Sequence, residues 1–133
     1  MDIIIAEDDP VSQKITQLML RKLGIYAEAT DNGKEVLRAL ERQHYDIVLM
    51  DIQMPELDGI EATRIIRKRW PSGPKIIVIT DCNSETYRKP CLDAGADEFL
   101  TKPVMVKELT EAIEHCGTAG KLFSNMICCS RDC

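Results

Sequence analysis

Short apolar runs rich in β-branched residues alternate along the chain with segments of helical period. The runs are DIIIA from residue 2, IYAEA from 25, DIVLM from 46, KIIVIT from 75 and EFLT from 98. Within them IIIA, IVLM and IIVI are continuously apolar, as parallel strands covered on both faces must be. After the first run, Asp9 and Pro10 supply an N-cap and a proline at the first helical position. Val11, Ile15, Leu18, Met19 and Leu23 then mark one face, which is expected to turn inward before Gly24 ends the helix. A second helix is predicted from Asn32, carrying Val36, Leu37 and Leu40 inward, and a third from Gly59 to Arg69, burying Ile65 and Ile66 and stopping before the loop WPSGP. A fourth is expected over Ser84 to Ala94, where Pro90 predicts a kink or a late start. The fifth runs from Val106 to Cys116 with Leu109, Ala112 and Ile113 on its core face.

Strict βα alternation implies parallel strands joined by right-handed crossovers, with helices on both faces. The predicted class is therefore α/β: a doubly wound five-stranded parallel sheet of order 2-1-3-4-5, a flavodoxin-like (βα)5 three-layer sandwich. Its switch point lies between strands 1 and 3.

Composition narrows the function. At 133 residues and 44% hydrophobic content the chain suits one core. Its 17 basic and 22 acidic residues, net −5, are mixed along the sequence, which argues against a nucleic-acid surface. No apolar run approaches the roughly 18 to 20 residues of a membrane span, and no signal segment opens the chain, so a soluble, cytoplasmic protein is expected. The cysteines, Cys82, Cys91, Cys116, Cys128, Cys129 and Cys133, form no CxxC pair and read as reduced thiols. Cys129 and Cys133 make an isolated CxxxC without nearby histidines, too few ligands for zinc.

In such sheets, ligands bind beyond the carboxyl ends of the strands at the switch point. The residues placed there are Glu7 and Asp8 after strand 1, Asp51 after strand 3, Thr80 at the end of strand 4, and Thr101 and Lys102 after strand 5. Clustered carboxylates raise one another's pKa unless a cation joins them, and a hard divalent ion such as magnesium is the natural partner. An anionic half and a cationic half suit phosphoryl chemistry, with one carboxylate as nucleophile. Each residue also has an ordinary reading as a cap, turn or strand-end residue, preferred for Asp9; the joint placement is what distinguishes the others.

These stretches resemble the receiver domain of two-component response regulators. IIIAEDDPVSQKI is similar to its acidic pair and first helix, DIVLMDIQMPELDGIEATRIIR to its phosphoacceptor loop and third helix, KIIVIT to its fourth strand, and GADEFLTKPV to its lysine-proline turn. The likeness covers about residues 2 to 116, so residues 1–116 are expected to be a receiver domain and 117–133 a tail of unknown structure. The resemblance implies that Asp51 accepts a phosphoryl group from a sensor histidine kinase or histidine phosphotransfer protein. It implies that Glu7, Asp8, Asp51 and the backbone carbonyl of Gln53 hold Mg2+, and that Lys102 and Thr80 contact the phosphoryl oxygens. Phe99, Phe where many members have Tyr, would be the switch aromatic of a helix 4/strand 5/helix 5 face, read by an unknown effector or used for homodimerisation. Since His44 and His115 are placed away from the rim, the donor should be another molecule.

Asp81 follows Thr80 where the family usually has a small residue; it either repels the phosphate or caps the fourth helix. Gln53 and Cys82 stand where the family tunes access of water. Three rival readings are an aspartyl-phosphate hydrolase, a flavodoxin-like cofactor binder and a degenerate receiver that binds partners without phosphorylation. The first commonly wants a second acid where this chain has Gln53, and the second a phosphate loop after strand 1.

Overall fold

The computed structural model describes residues 2–52, 54, 57–80, 84–102 and 104–116. Five strands and five helices alternate: β1 Ile3–Ala6, α1 Pro10–Lys22, β2 Glu28–Thr30, α2 Gly33–Arg42, β3 Ile47–Met50, α3 Gly59–Arg69, β4 Lys75–Thr80, α4 Ser84–Ala94, β5 Glu98–Thr101 and α5 Val106–His115. The strands form one parallel sheet in the order β2-β1-β3-β4-β5.

Because side chains alternate across a strand, each central strand feeds two cores. Ile4, Ala6, Val48, Met50, Ile76 and Val78 face Val36 and Leu40 of α2, Ala62 and Ile66 of α3, and Cys91 of α4. Ile3, Ile5, Ile47, Leu49, Ile77 and Ile79 face Leu20 of α1 and Leu109, Ala112 and Ile113 of α5. Full burial of such side chains is worth about 1.5–3 kcal/mol each, and it explains why these runs carry no polar residue.

The helix starts are set by side-chain caps. Asp9 accepts from the Ser12 amide at 3.2 Å and its hydroxyl at 2.8 Å, Asn32 from the Glu35 amide at 2.9 Å, and Asp58 from the Glu61 amide at 2.9 Å. Gly24 ends the turn after α1 with φ 82°, a left-handed conformation that favours glycine.

Three expectations need correction. On α1, Val11, Ile15 and Leu18 are exposed; Leu20 is the buried anchor, and Met19 and Leu23 pack at the core's edge. On α3, Ile66 is buried while Ile65 is only partly covered, because Ala62 and Thr63 take the inward positions. The second strand starts at Glu28: Ile25 fills the core from the preceding turn, and Tyr26 is exposed beside Arg21, whose guanidinium lies 5.3 Å from the ring centroid. Helix α4 occupies the expected span, running from Ser84 through Pro90 to Ala94, so of the two alternatives offered for Pro90 the late start is excluded.

At the amino-terminal edge of the sheet the loops are tied by polar contacts. Arg67 donates from Nε to the Gly95 carbonyl at 2.9 Å, from Nη1 to Pro74 at 2.7 Å and from Nη2 to the Asp97 carboxylate at 2.5 Å. Asp97 in turn accepts from the Ile76 amide at 2.8 Å, and Asp46 accepts from the Asp2 amide at 2.8 Å.

Candidate functional site

The opposite, carboxyl edge gathers the polar residues. Glu7 follows β1 and Asp51 follows β3; both are buried, and Asp8 beside them is exposed. The adjacency of β1 and β3, with Ala6 opposite Met50, brings the acids together, and the Asp51 amide donates to the Ala6 carbonyl at 3.0 Å. One oxygen from each of Glu7, Asp8 and Asp51 lies within 4.8 Å of the others. Thr80 is fully buried at the end of β4, and its carbonyl accepts from the Lys102 amide at 2.8 Å, which carries the lysine onto the same rim. The Lys102 Nζ lies 2.7 Å from Glu7 Oε1 and 3.7 Å from Asp51 Oδ2.

Electrostatics separate the two adjacent acids. Burial raises the pKa of Glu7, but hydrogen bonding with Asp51, Lys102 and the Asp9 amide outweighs it and holds the group below the usual carboxylate range. Asp8 is shifted upward, first by desolvation and then by the Glu7 carboxylate beside it. Asp9 is lowered by its Ser12 partner, as its capping role requires.

Phe99 is half-buried on β5 and pairs in register with Val78, on the side of the sheet that α3 and α4 cover. His44 sits at the opposite edge with Asp46 at 3.3 Å, and His115 at the end of α5 with Glu98 at 3.4 Å. Neither reaches the rim. Gln53, Asp81, Cys82 and residues 117–133 lie outside the described residues.

Two contributors were not assigned to the site from sequence. Gln13, on the first turns of α1, donates to the Glu7 carbonyl at 2.9 Å, the Thr30 carbonyl at 3.1 Å and the Asp31 carboxylate at 3.2 Å. A polar residue near an N-terminus gives no pattern from which that clamp can be read. Gly59, expected only as the first residue of the third helix, also lies against the loop that carries Asp51: a Cβ there would lie 2.0 Å from the Asp51 carbonyl oxygen.

Beside the rim, α1 and the stretch after β5 form a groove of about 400 Å³ lined by Ile15, Met19, Ile79 and Val104, with Ser12, Thr16 and Lys102 as its polar residues. The exposed Val11 and Leu18 extend its apolar border along α1.

A doubly wound sheet with an acidic pair, a third carboxylate and a lysine at its switch point defines a class of site suited to phosphoryl groups and hard cations. Residues 3–114 match the family model of the response regulator receiver domain, and the chain belongs to that family, a signalling domain of two-component systems. It is 41% identical over 120 residues to hybrid signal transduction histidine kinase K of Dictyostelium discoideum, covering 84% of this chain and 10% of that protein. The chain spans 6 to 15% of the length of the first curated relatives it matches. Among solved structures it is similar to the receiver domain of a sensor histidine kinase from Pseudomonas aeruginosa, crystallised with magnesium coordinated in the active-site cleft. That match has 37% identity and TM-score 0.77, covering 87% of this chain and 97% of that one. It also resembles the Saccharomyces cerevisiae complex of the histidine phosphotransfer protein Ypd1 with the receiver domain of Ssk1, at 28% identity and TM-score 0.82, with 90% of each chain covered.

Proposed function

We propose that this receiver domain accepts a phosphoryl group on Asp51 from a phosphohistidine of a histidine kinase or phosphotransfer protein. The observation that carries the reading is the ammonium of Lys102 lying against both Glu7 and Asp51 on a rim lined by carboxylates. A carboxylate oxygen of Asp51 attacks phosphorus in line; the P–O bond forms as the P–N bond to imidazole breaks, and the departing ring nitrogen takes up a proton. Lys102 offsets charge on the phosphoryl oxygens, and Thr80, at the neighbouring strand end, donates its hydroxyl to one of them. Glu7, Asp8 and Asp51 offer the hard oxygen donors that magnesium takes, and the Gln53 carbonyl is the further ligand that the family resemblance implies. When bound, the metal supplies positive charge to the same oxygens.

Movement of Thr80 toward the phosphoryl group vacates space for Phe99, and the α4–β5–α5 face carries the change to an effector. The domain extends over residues 1–116, followed by a tail, and acts in the cytoplasm; among the described residues no helix is long and apolar enough to cross a membrane. The groove beside α1 seats the donor, since it opens next to Lys102 and is bordered by exposed apolar side chains that the fold leaves uncovered. The assembled acids, threonine and lysine count against a degenerate receiver.

The deciding experiment is intact-mass analysis after incubation with a small-molecule phosphodonor. A single phosphate adduct that requires magnesium and is lost in Asp51→Asn is expected; an unchanged mass, or an adduct surviving in Asp51→Asn, overturns the reading.

A further inference from the structure

Helix α1 has an apolar side that does not meet the sheet. Leu20 is its buried anchor, while Val11, Ile15 and Leu18, spaced four and then three residues apart along one side, are 65%, 50% and 45% exposed. The groove beside the rim continues along this side. A second groove of about 450 Å³, lined by Ile15, Leu18 and Met19 with Arg21 and Lys22 at its far end, shares Ile15 and Met19 with the first. The two form one apolar trough along most of α1, and among the described residues nothing covers it. A contiguous uncovered apolar face of this kind marks a contact surface, unlike single scattered side chains.

The chain itself arrives at the far end of that trough. Helix α5 packs on the same side of the sheet as α1, and Cys116, which caps it, is buried in the cluster that holds Leu20 and Ile25. Residues 117–133, outside the described residues, follow directly. Residues 117–121, GTAGK, contain no apolar side chain larger than alanine; Leu122, Phe123, Met126 and Ile127 then come as two pairs four residues apart, the interval at which side chains share a helix face. Five extended residues reach at most about 17 Å. Leu18 lies about 6 Å along α1 from Lys22, and Val11 about 10 Å beyond Leu18, so the apolar block reaches the trough with length to spare.

We propose that residues 122–127 fold back over α1 and seat their apolar side chains against Ile15, Leu18 and Met19, so that the chain screens its own exposed face. A segment tethered by a short linker is present at an effective concentration on the order of millimolar, so it occupies the trough ahead of a second copy of the domain or a separate partner of equal intrinsic affinity at micromolar concentration. The cover is reversible, because ordering the segment consumes part of what its burial gains. A protein that docks on α1 must displace it first. That last consequence rests on the reading of the groove as the donor's seat; the contact itself does not.

The test is NMR on the full chain with labelled methyl groups. Nuclear Overhauser contacts between the Phe123 ring and the methyls of Ile15 or Leu18 are expected, together with shifts of those methyls in Phe123→Asp. Methyls that show no such contact and keep their parental shifts in Phe123→Asp overturn the proposal. So does a contact seen only between chains in a mixture of labelled and unlabelled protein, which assigns the face to a second copy. A kinetic arm follows phosphotransfer from a histidine phosphotransfer protein at sub-saturating concentration. A face covered about two-thirds of the time predicts that Phe123→Asp speeds this transfer about threefold and leaves the rate with a small-molecule donor unchanged. An unchanged transfer rate overturns the screening where Ile15→Asp slows the same transfer; where Ile15→Asp leaves it unchanged too, it is the donor-docking reading that fails, and the methyl contacts decide the proposal.

Discussion

Gly59→Ala isolates the contact between α3 and the loop after β3 that begins with Asp51, the proposed phosphoacceptor. A Cβ at residue 59 would lie 2.0 Å from the Asp51 carbonyl oxygen, 2.8 Å from its carbon and 2.9 Å from the Ile52 Cα, all backbone atoms that no rotamer change can move. Real Cβ contacts begin near 3.0 Å, so the start of α3 and the Asp51 peptide must separate by about 1 Å, disturbing the bond of 2.8 Å from the Gly59 amide to the Ile52 carbonyl. Overpacking of this kind costs about 1–3 kcal/mol, here toward the upper end because the obstacle is backbone, and alanine returns at most about 1 kcal/mol of helix propensity. The net expectation is a loss of about 2 kcal/mol, which at a urea dependence of about 1–3 kcal/mol/M lowers the unfolding midpoint by roughly 1 M. Displacing an attacking group by about 1 Å can slow a reaction on the order of 100-fold, so phosphorylation by a small-molecule donor should fall sharply even where the variant is folded. Gly24→Ala is the control: its φ of 82° imposes about 1–2 kcal/mol of strain, but no atom lies within 4 Å of the new Cβ, and its phosphorylation rate should be unchanged. A Gly59→Ala variant as stable as the parent and phosphorylated at the parental rate would refute the packing argument.

Ile15→Asp places a charge on the exposed border of the α1 groove; phosphotransfer from a histidine phosphotransfer protein should slow at least about tenfold while the rate with a small-molecule donor stays the same. Arg67→Ala removes three hydrogen bonds and leaves the Asp97 carboxylate with the Ile76 amide but without its cation, and chemical denaturation should report a loss of about 2–3 kcal/mol with no effect on magnesium affinity. Burial pushes the Cys91 thiol up to about 11 and that of Cys116 to about 12, so peptide mapping after iodoacetamide treatment at pH 8 should find both unmodified until the protein is unfolded. The same shifts fix a pH dependence. The unfolded thiols ionise from about pH 9 while the folded ones stay protonated, so the stability they contribute is intact below that pH and declines as pH rises toward the folded values. A urea midpoint that does not fall between pH 8.5 and 10.5 any faster than in Cys91→Ala would contradict this.

The parts of the fold legible in the sequence are those where one physical demand dominates. Strands β1, β3 and β4 lie between two helical layers, and continuous apolar runs announce them. Strand β2 lies at the sheet edge, has no such run, and was placed too early because Ile25 belongs to the core without belonging to a strand. Periodicity located α1 but misassigned its face, since an uncovered apolar strip such as Val11, Ile15 and Leu18 has the same spacing as a buried one. At the site, Glu7, Asp8, Asp51, Thr80 and Lys102 could be found because each follows directly from a strand end. Which carboxylate Lys102 selects, and how Gln13 secures it, depends on differences of about 1 Å between side chains that no spacing rule contains.

An all-parallel sheet gives its two edges different residues to carry. At the carboxyl edge sit the acids, the threonine and the lysine; at the amino edge Arg67, Asp97 and Asp46 tie loops together by bonds to main-chain atoms. On the proposed function, variation in one set alters what the domain exchanges with other molecules, and variation in the other alters how well it stays folded. A lineage can therefore retune its signalling on one edge while drift in thermal tolerance accumulates on the other. Gly59 is the place where that independence fails, because a single methyl group there would tax both properties at once.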